Sequence, residues 1–390
     1  MKEMDNTYYE KKPMLKARII SILFFCILIY PVIDQTFSIT KRKKTDQAKL
    51  IVHFPSLDTN KLDSIPKLLE AYYSDKFSMQ DFMVAVNSYF KIKFFGVSPN
   101  PLSVVVGKHG WLFDGERSIN NYRGLDVFTT EELIKMKTIL DNRGKWYRSK
   151  GIRFYFTIAP DKHSIYSEYL PSNIQKVNPQ TMYDQLVELF NGDTLVPMID
   201  LRKPIIDAKK YGYELYFKID HHWTDIGAFY AYLEIIKRIH IDFPQIIPLE
   251  LKDFSIDSSE KFVAGSESEK LNISKYYNEK RVRLVKKIPT KCHKGIKANY
   301  PVPKGFPYPD DYEVVHVVDG STHPYAFIIR DSFADWLMQY FYENFRECKY
   351  FYDGWGYRFN KDIIEKEKPD MVILMPYESN LKRILECSDD

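Results

Sequence analysis

Cysteine is scarce: there are four in 390 residues, Cys26, Cys292, Cys348 and Cys387. Cys26 lies inside an apolar run, and the other three have no short metal-ligand spacing, which argues against a zinc site. Three cysteines outside that run allow at most one disulfide with a thiol left over, so they do not set the redox compartment. Charge of one sign is lacking too. Lys and Arg number 56 against 52 Asp and Glu, a balance of +4. No basic stripe interleaved with aromatics follows the N-terminus, which excludes nucleic acid as the main partner. No internal repeat is evident, which removes solenoid architectures. What the chain does have is apolar bulk, with hydrophobic residues at 45 % and aromatics at 15 %, including 29 Tyr and 26 Phe. That is enough for a large core, and the length fits two domains or one large α/β domain with insertions.

There is one long hydrophobic run, residues 19–33, flanked by Lys11, Lys12, Lys16 and Arg18 before it and Lys41, Arg42, Lys43 and Lys44 after it. Extended to residues 17–37, it reads as a membrane span. No small-x-small cleavage site follows Pro31, so the expectation is an uncleaved anchor behind a short tail, residues 1–16. Basic residues balance on the two sides and leave the orientation open. Residues 38–101 read as a helical stem, with apolar positions at Leu62, Ile65, Leu68, Leu69 and Tyr72, then Phe82, Val86, Tyr89 and Phe90. Pro99-Asn100-Pro101 closes it.

Residues 102–390 change pattern. Val104-Val105-Val106 leads through Gly107 into Gly110-Trp111-Leu112-Phe113, a predicted hairpin. Thr129-Thr130-Glu131-Glu132 carries the capping signature of a long helix ending near Lys150. Strands are expected at residues 153–158, 195–199, 325–329, 349–352 and 371–374. Helices are expected at residues 181–190, 224–239, 334–345 and 360–368. Strand alternating with helix predicts an α/β domain with a mostly parallel sheet. Residues 240–312 are less regular and read as an insertion or lid.

Two stretches carry chemistry. Asp220-His221-His222-Trp223 places a carboxylate beside two imidazoles, the pairing that general-base catalysis uses. Arg330-Asp331-Ser332-Phe333 lies where a buried strand passes into a helix, at the edge where ligands bind in parallel sheets. In an extended segment residues i and i+2 share a face, so Asp220 and His222 are expected to face Ser332, with His221 pointing away. Packing and helix capping by Thr224, Asp331 and Ser332 account for the same residues without catalysis.

Together with Gly107-Lys108-His109-Gly110-Trp111-Leu112-Phe113 and Ala159-Pro160-Asp161-Lys162, these stretches resemble the SGNH-hydrolase-like domain of the alginate O-acetyltransferases. The doubled histidine is similar to the sub-family named for its Asp-His-His-Trp signature. The resemblance implies a three-layer α/β/α domain with Asp220, His222 and Ser332 as acid, base and nucleophile. It implies no metal and no cofactor. It also implies a polysaccharide acceptor, a membrane-bound O-acyltransferase partner supplying acetyl groups, and a soluble domain outside the cytoplasmic membrane. Trp223, Arg330 and His221 are the candidate substrate contacts. Arg330 departs from the pattern, since a Gly often precedes Asp-Ser, and it favours a non-catalytic glycan-binding assembly protein as an alternative. A glycan O-acetyl esterase with the same triad is the other alternative, because the acceptor alone separates the two activities. No motif marks an oxyanion side-chain donor. Asn380 and Arg358 are the two guesses.

Overall fold

A computed structural model describes residues 12–37, 63–76, 80–258, 261–262 and 265–386. It divides into two compact units, residues 1–89 and 90–390. In the first, a helix spans Lys12–Phe37, followed by Ile65–Lys76 and Gln80–Phe90. The side chains of Ile20, Ile22, Phe24, Phe25 and Ile27 are all exposed. Even so, no helix is long and apolar enough to cross a membrane among the described residues, so the expected span is not borne out. Most of the expected tail and the first part of the expected stem lie outside the described residues.

The second unit is built on strands β1 Val104–Val106, β2 Leu112–Asp114, β3 Arg153–Thr157, β4 Met198–Ile199, β5 Phe254–Asp257, β6 Lys261–Phe262, β7 Glu279–Lys280, β8 Arg283–Lys286, β9 His293–Lys294, β10 Glu313–Val317, β11 Tyr325–Arg330, β12 Glu347–Tyr352 and β13 Met371–Met375. Seven of them form one sheet in the order β4-β3-β13-β11-β12-β10-β9. Pairings from β4 to β12 are parallel, and β10 and β9 add on antiparallel. The sheet is therefore mixed, with a parallel centre. β11 is buried along its whole length, as a continuous apolar run covered on both faces should be. Its alternate side chains divide between two cores. Ala326 and Ile328 join the cluster around helix Asp225–Asp242, and Phe327 and Ile329 join the one around helix Thr130–Ser149.

Local expectations hold where a side chain enforces them. β1 and β2 pair as the predicted hairpin. Thr129 and Glu132 form the capping box, at 3.2 and 2.9 Å. Two elements are shorter than expected. β4 is cut to Met198–Ile199 because Pro197 has no N–H for a ladder and Asp193 Oδ1 takes the N–H groups of Leu195 and Val196. The helix expected over residues 334–345 is a 3₁₀ turn, Ser332–Trp336, followed by Met338–Phe341. Asp331 Oδ1 captures Phe333 N, and Ala334, Leu337 and Tyr340 each donate to the carbonyl three residues back. The tighter winding buries Phe333, Ala334, Leu337, Tyr340, Phe341 and Phe345 together. Cys26, Cys292 and Cys348 are free thiols.

Candidate active site

β11 lies between β13 and β12. The chain leaves its C-terminal end toward β12 on one side and returns to β13 on the other. Such a reversal opens a crevice at the carboxyl ends of the strands. Ser332 stands in that crevice as the first residue of the 3₁₀ turn. Asp331, just before it, is buried and inward. Its Oδ2 accepts from Tyr357 Oη and Tyr377 N, both at 2.7 Å, which ties the nucleophile turn to the loops after β12 and β13. Burial raises the Asp331 pKa against the pull of those hydrogen bonds.

The other half of the site is an irregular loop, residues 217–222. Backbone groups outside regular structure need side-chain partners when buried, and two distant residues supply them. Lys162 Nζ donates to the carbonyls of Phe217, Lys218 and Asp220 at 3.1, 3.3 and 2.6 Å. Glu279 accepts from Lys218 N at 2.9 Å and Ile219 N at 3.2 Å. Burial lowers the Lys162 pKa, and the charges of Glu267 and Asp220 oppose that loss. Lys162 sits inside the Ala-Pro-Asp-Lys motif, but spacing alone assigned it no task.

The loop brings together three of the residues singled out in the sequence. His222 Nδ1 is 2.6 Å from Asp220 Oδ1, and His222 Nε2 is 2.8 Å from Ser332 Oγ. Asp220 also accepts from His222 N at 2.9 Å and from Ser266 N at 2.7 Å. Burial pushes the Asp220 carboxyl up, but the charge and hydrogen bonds of His222 outweigh it and hold the pKa well below the usual range. An ionised Asp220 requires a proton on His222 Nδ1, which leaves Nε2 to accept from the Ser332 hydroxyl. This is the acid–base–nucleophile order of a serine hydrolase or acyltransferase.

The remaining candidates divide. His221 does not point away from the serine side: it lines the same cavity as Ser332, with Nδ1 2.6 Å from Ser266 Oγ. The loop is bent rather than extended, so strand parity does not apply. Trp223 is fully buried, donates from its indole N–H to Phe333 O at 3.0 Å and meets the Phe333 ring edge-on. It is a core indole, out of reach of a sugar face. Arg330 is fully buried as well. Its guanidinium bonds Asp331 O and Asp311 O, pairs with Asp335 at 2.8 Å and lies 4.4 Å from the centre of the Tyr352 ring. Turned away from the cavity, it neither crowds the serine nor reaches a substrate, and the feature that favoured a non-catalytic reading falls away. Arg358 pairs with Asp353 at 2.9 Å. Asn380 lines the Ser332 cavity; its Nδ2 reaches Tyr357 Oη only at 3.4 Å, and its buried Oδ1 has no hydrogen-bond partner among the described residues.

The cavity measures about 280 Å³ and is edged by Arg117, Lys270, Tyr352, Trp355 and Arg383. The carboxylate and two imidazoles of residues 220–222 lie within 4.8 Å of one another, close enough to hold a cation. Their inward nitrogens are already committed to Asp220 and Ser266. Sequence reasoning missed Ser266, Glu267 and Glu279, all within the stretch read as an insertion or lid. Their serine and acid letters carry no spacing signal. Only the fold sets them under the catalytic loop.

Residues 104–267 match the family model described as SGNH hydrolase-like domain, acetyltransferase AlgX. The matched span contains Asp220 and His222 and ends before Ser332. The probable alginate O-acetylase AlgJ of Pseudomonas fluorescens is 24 % identical over 180 residues, which is 44 % of this chain and 42 % of that protein. The chain thus matches less than half the length of that relative. Among solved structures, PatB1 of Bacillus cereus, with a sulfonyl adduct, is 19 % identical with a TM-score of 0.49, covering 71 % of this chain and 97 % of that one. A DHHW family protein from Eubacterium siraeum is 14 % identical with a TM-score of 0.47, covering 72 % and 95 %.

Proposed function

We propose, on the premise that this chain carries an SGNH hydrolase-like domain of the alginate O-acetyltransferase type, that it transfers acetyl groups to a polysaccharide hydroxyl through an acetyl-Ser332 intermediate. The observation that carries the reading is the continuous hydrogen-bonded chain Asp220–His222–Ser332 opening on the cavity. His222 takes the proton of Ser332 as Oγ attacks the acetyl carbonyl, then returns it to the leaving group. A sugar hydroxyl enters, loses its proton to His222 and attacks the acetyl-serine, and His222 returns that proton to Ser332 Oγ as the ester bond to the serine breaks. Ionised Asp220 stabilises the imidazolium formed in each half. The Nδ2 group of Asn380, at the cavity and held by a long 3.4 Å bond to Tyr357 Oη, is the proposed donor to the developing oxyanion.

Anchoring belongs to the same proposal. The exposed apolar side chains of helix Lys12–Phe37 associate with a membrane, the catalytic unit works on the extracytoplasmic side, and a membrane-bound O-acyltransferase hands over the acetyl groups. One experiment covers both parts. Full-length protein recovered from the membrane fraction is given 4-nitrophenyl acetate with and without an exported polysaccharide, and acetyl on the glycan is measured by mass spectrometry. Transfer to glycan is expected. Acetate release alone makes the protein an esterase, and the absence of a covalent acetyl-enzyme defeats the serine mechanism. Recovery only in the soluble fraction removes the anchor.

A further inference from the structure

A second hydrogen-bonded chain runs beside the first. Ser266 Oγ donates to Glu267 Oε2 at 2.9 Å, and a hydroxyl has one proton to give. Toward His221 it is therefore an acceptor, so the ring nitrogen Nδ1, 2.6 Å away, carries a hydrogen. The backbone N–H of His221 adds a second donor to the same oxygen at 3.3 Å. With Nδ1 committed, Nε2 is the free ring atom; no described residue bonds it, and His221 lines the cavity beside Ser332.

Charged groups surround the imidazole. Glu267 is fully buried, with Oε1 3.5 Å from His221 Nδ1 and 3.5 Å from Lys270 Nζ. Asp220 Oδ1 is 3.8 Å away, the His222 ring centre 3.9 Å, and Lys270 joins Glu267 to Asp114 at 2.5 Å. Lys162 adds a buried positive charge facing Glu267 and Asp220. Phe333 and Tyr377 close the remaining sides. Burial pulls the His221 pKa down, but the hydrogen bond and charge of Glu267, then Asp220 and Asp114, outweigh it, and the net shift is upward. The cationic form presents Nε2–H to the cavity as a donor.

Two imidazoles thus stand side by side, one accepting a proton and one donating a hydrogen bond. Resting on the acyl-transfer reading above, we propose that His221 touches the substrate, and that the preferred acceptor is a vicinal diol, one hydroxyl activated by His222 and its neighbour held by His221. Adjacent hydroxyls on a sugar ring are spaced much as two hydrogen-bonded oxygens are, which suits donors on neighbouring rings. His221 keeps its proton throughout. Glu267 and Ser266 are positioning residues.

The test uses the full-length chain, 4-nitrophenyl acetate as donor, and trans-1,2-cyclohexanediol against cyclohexanol as acceptors. Wild type is expected to prefer the diol by about tenfold or more in kcat/KM, since a site built to bond a hydroxyl rejects an acceptor that lacks it. His221→Ala, or His221→Asn if alanine impairs folding, should lose the preference, read as the ratio of the two acceptors within each variant so that any change in Ser332 acetylation cancels. In Glu267→Gln the preference should vanish at lower pH than in wild type, because without that carboxylate the imidazole gives up its proton sooner. A wild-type burst of 4-nitrophenol, which reports acetylation of Ser332, with equal use of both acceptors overturns this inference alone, as does a preference that survives in both His221 variants. A wild-type protein without a burst overturns the acetyl-serine reading and this inference with it.

Discussion

Ser332, His222 and Asp220 perform three tasks that separate in experiment. Ser332→Ala removes a hydroxyl that bonds His222 Nε2 at the edge of an open cavity. Stability should therefore stay within about 0.5 kcal/mol of wild type, as for a substitution that breaks no core contact. Turnover should fall roughly 10³-fold or more, and His222→Ala should match it, because members of a triad act as one unit. Acetyl-transfer rates of the two variants, taken beside their melting temperatures, decide the point. A Ser332→Ala protein that is active, or inactive only because it has unfolded, contradicts the assignment. These three residues were legible because Asp-x-His and Asp-Ser are short patterns whose letters are chemically distinctive. Lys162, Ser266 and Glu267 were not, since each acts through a contact with a residue 45 or more positions away.

At the scale of elements, the site depends on close approach between the catalytic loop and helix Ser266–Lys270. Gly265 makes that approach possible. A Cβ there would come 2.3 Å from Ile219 O and 2.6 Å from its carbonyl carbon, both backbone atoms. Gly265→Ala should push the two segments apart and lengthen the 2.7 Å bond from Ser266 N to Asp220. Because a displacement of about 1 Å can cost 10²-fold, turnover should drop by about tenfold or more with the cavity side chains intact. Unchanged kinetics in a folded variant would sink the idea that this loop is held from below. Strands β11 and β13 were readable as apolar runs, β12 only from Lys349 onward because Glu347 and Lys349 interrupt it, and helix Thr130–Ser149 from its capping box. The segment after Ser332 was misread as one long helix because its apolar letters suit either winding. Asp331 and the aromatic core chose the tighter one.

Across the molecule, a buried carboxylate gives stability a pH dependence that the surface hides. Glu378 accepts from Asp161 N at 2.7 Å, from Asn121 Nδ2 at 3.1 Å and from Ser164 Oγ. Burial and then the charge of Asp161 raise its pKa from 4.5 to about 8, with Arg202 opposing. The folded state therefore binds a proton that the unfolded state has lost over the window from about 4.5 to about 8. Stability falls as pH rises through that window, by up to ~1.4 kcal/mol per pH unit, and levels off above it. Glu378→Gln should flatten the decline. Urea unfolding at pH 5, 6.5 and 8 measures it, and equal slopes for variant and wild type would exclude Glu378 as the cause. Tyr377 and Asn380, either side of Glu378, line the Ser332 cavity, so this carboxylate sits under the floor of the site.

Hydrophobic periodicity and capping are local, and they determined the α/β alternation, the long helices and the buried central strands from the sequence by itself. The distinctive letters at residues 220–223 and 330–333 likewise marked the two halves of the site. Tertiary structure decided which way each side chain faces. It turned Arg330 into the core, buried Trp223, set His221 at the cavity and drew Ser266 and Glu267 from the irregular region beneath it. Orientation at these positions follows from long-range hydrogen bonds and close packing, and neither leaves a period in the chain.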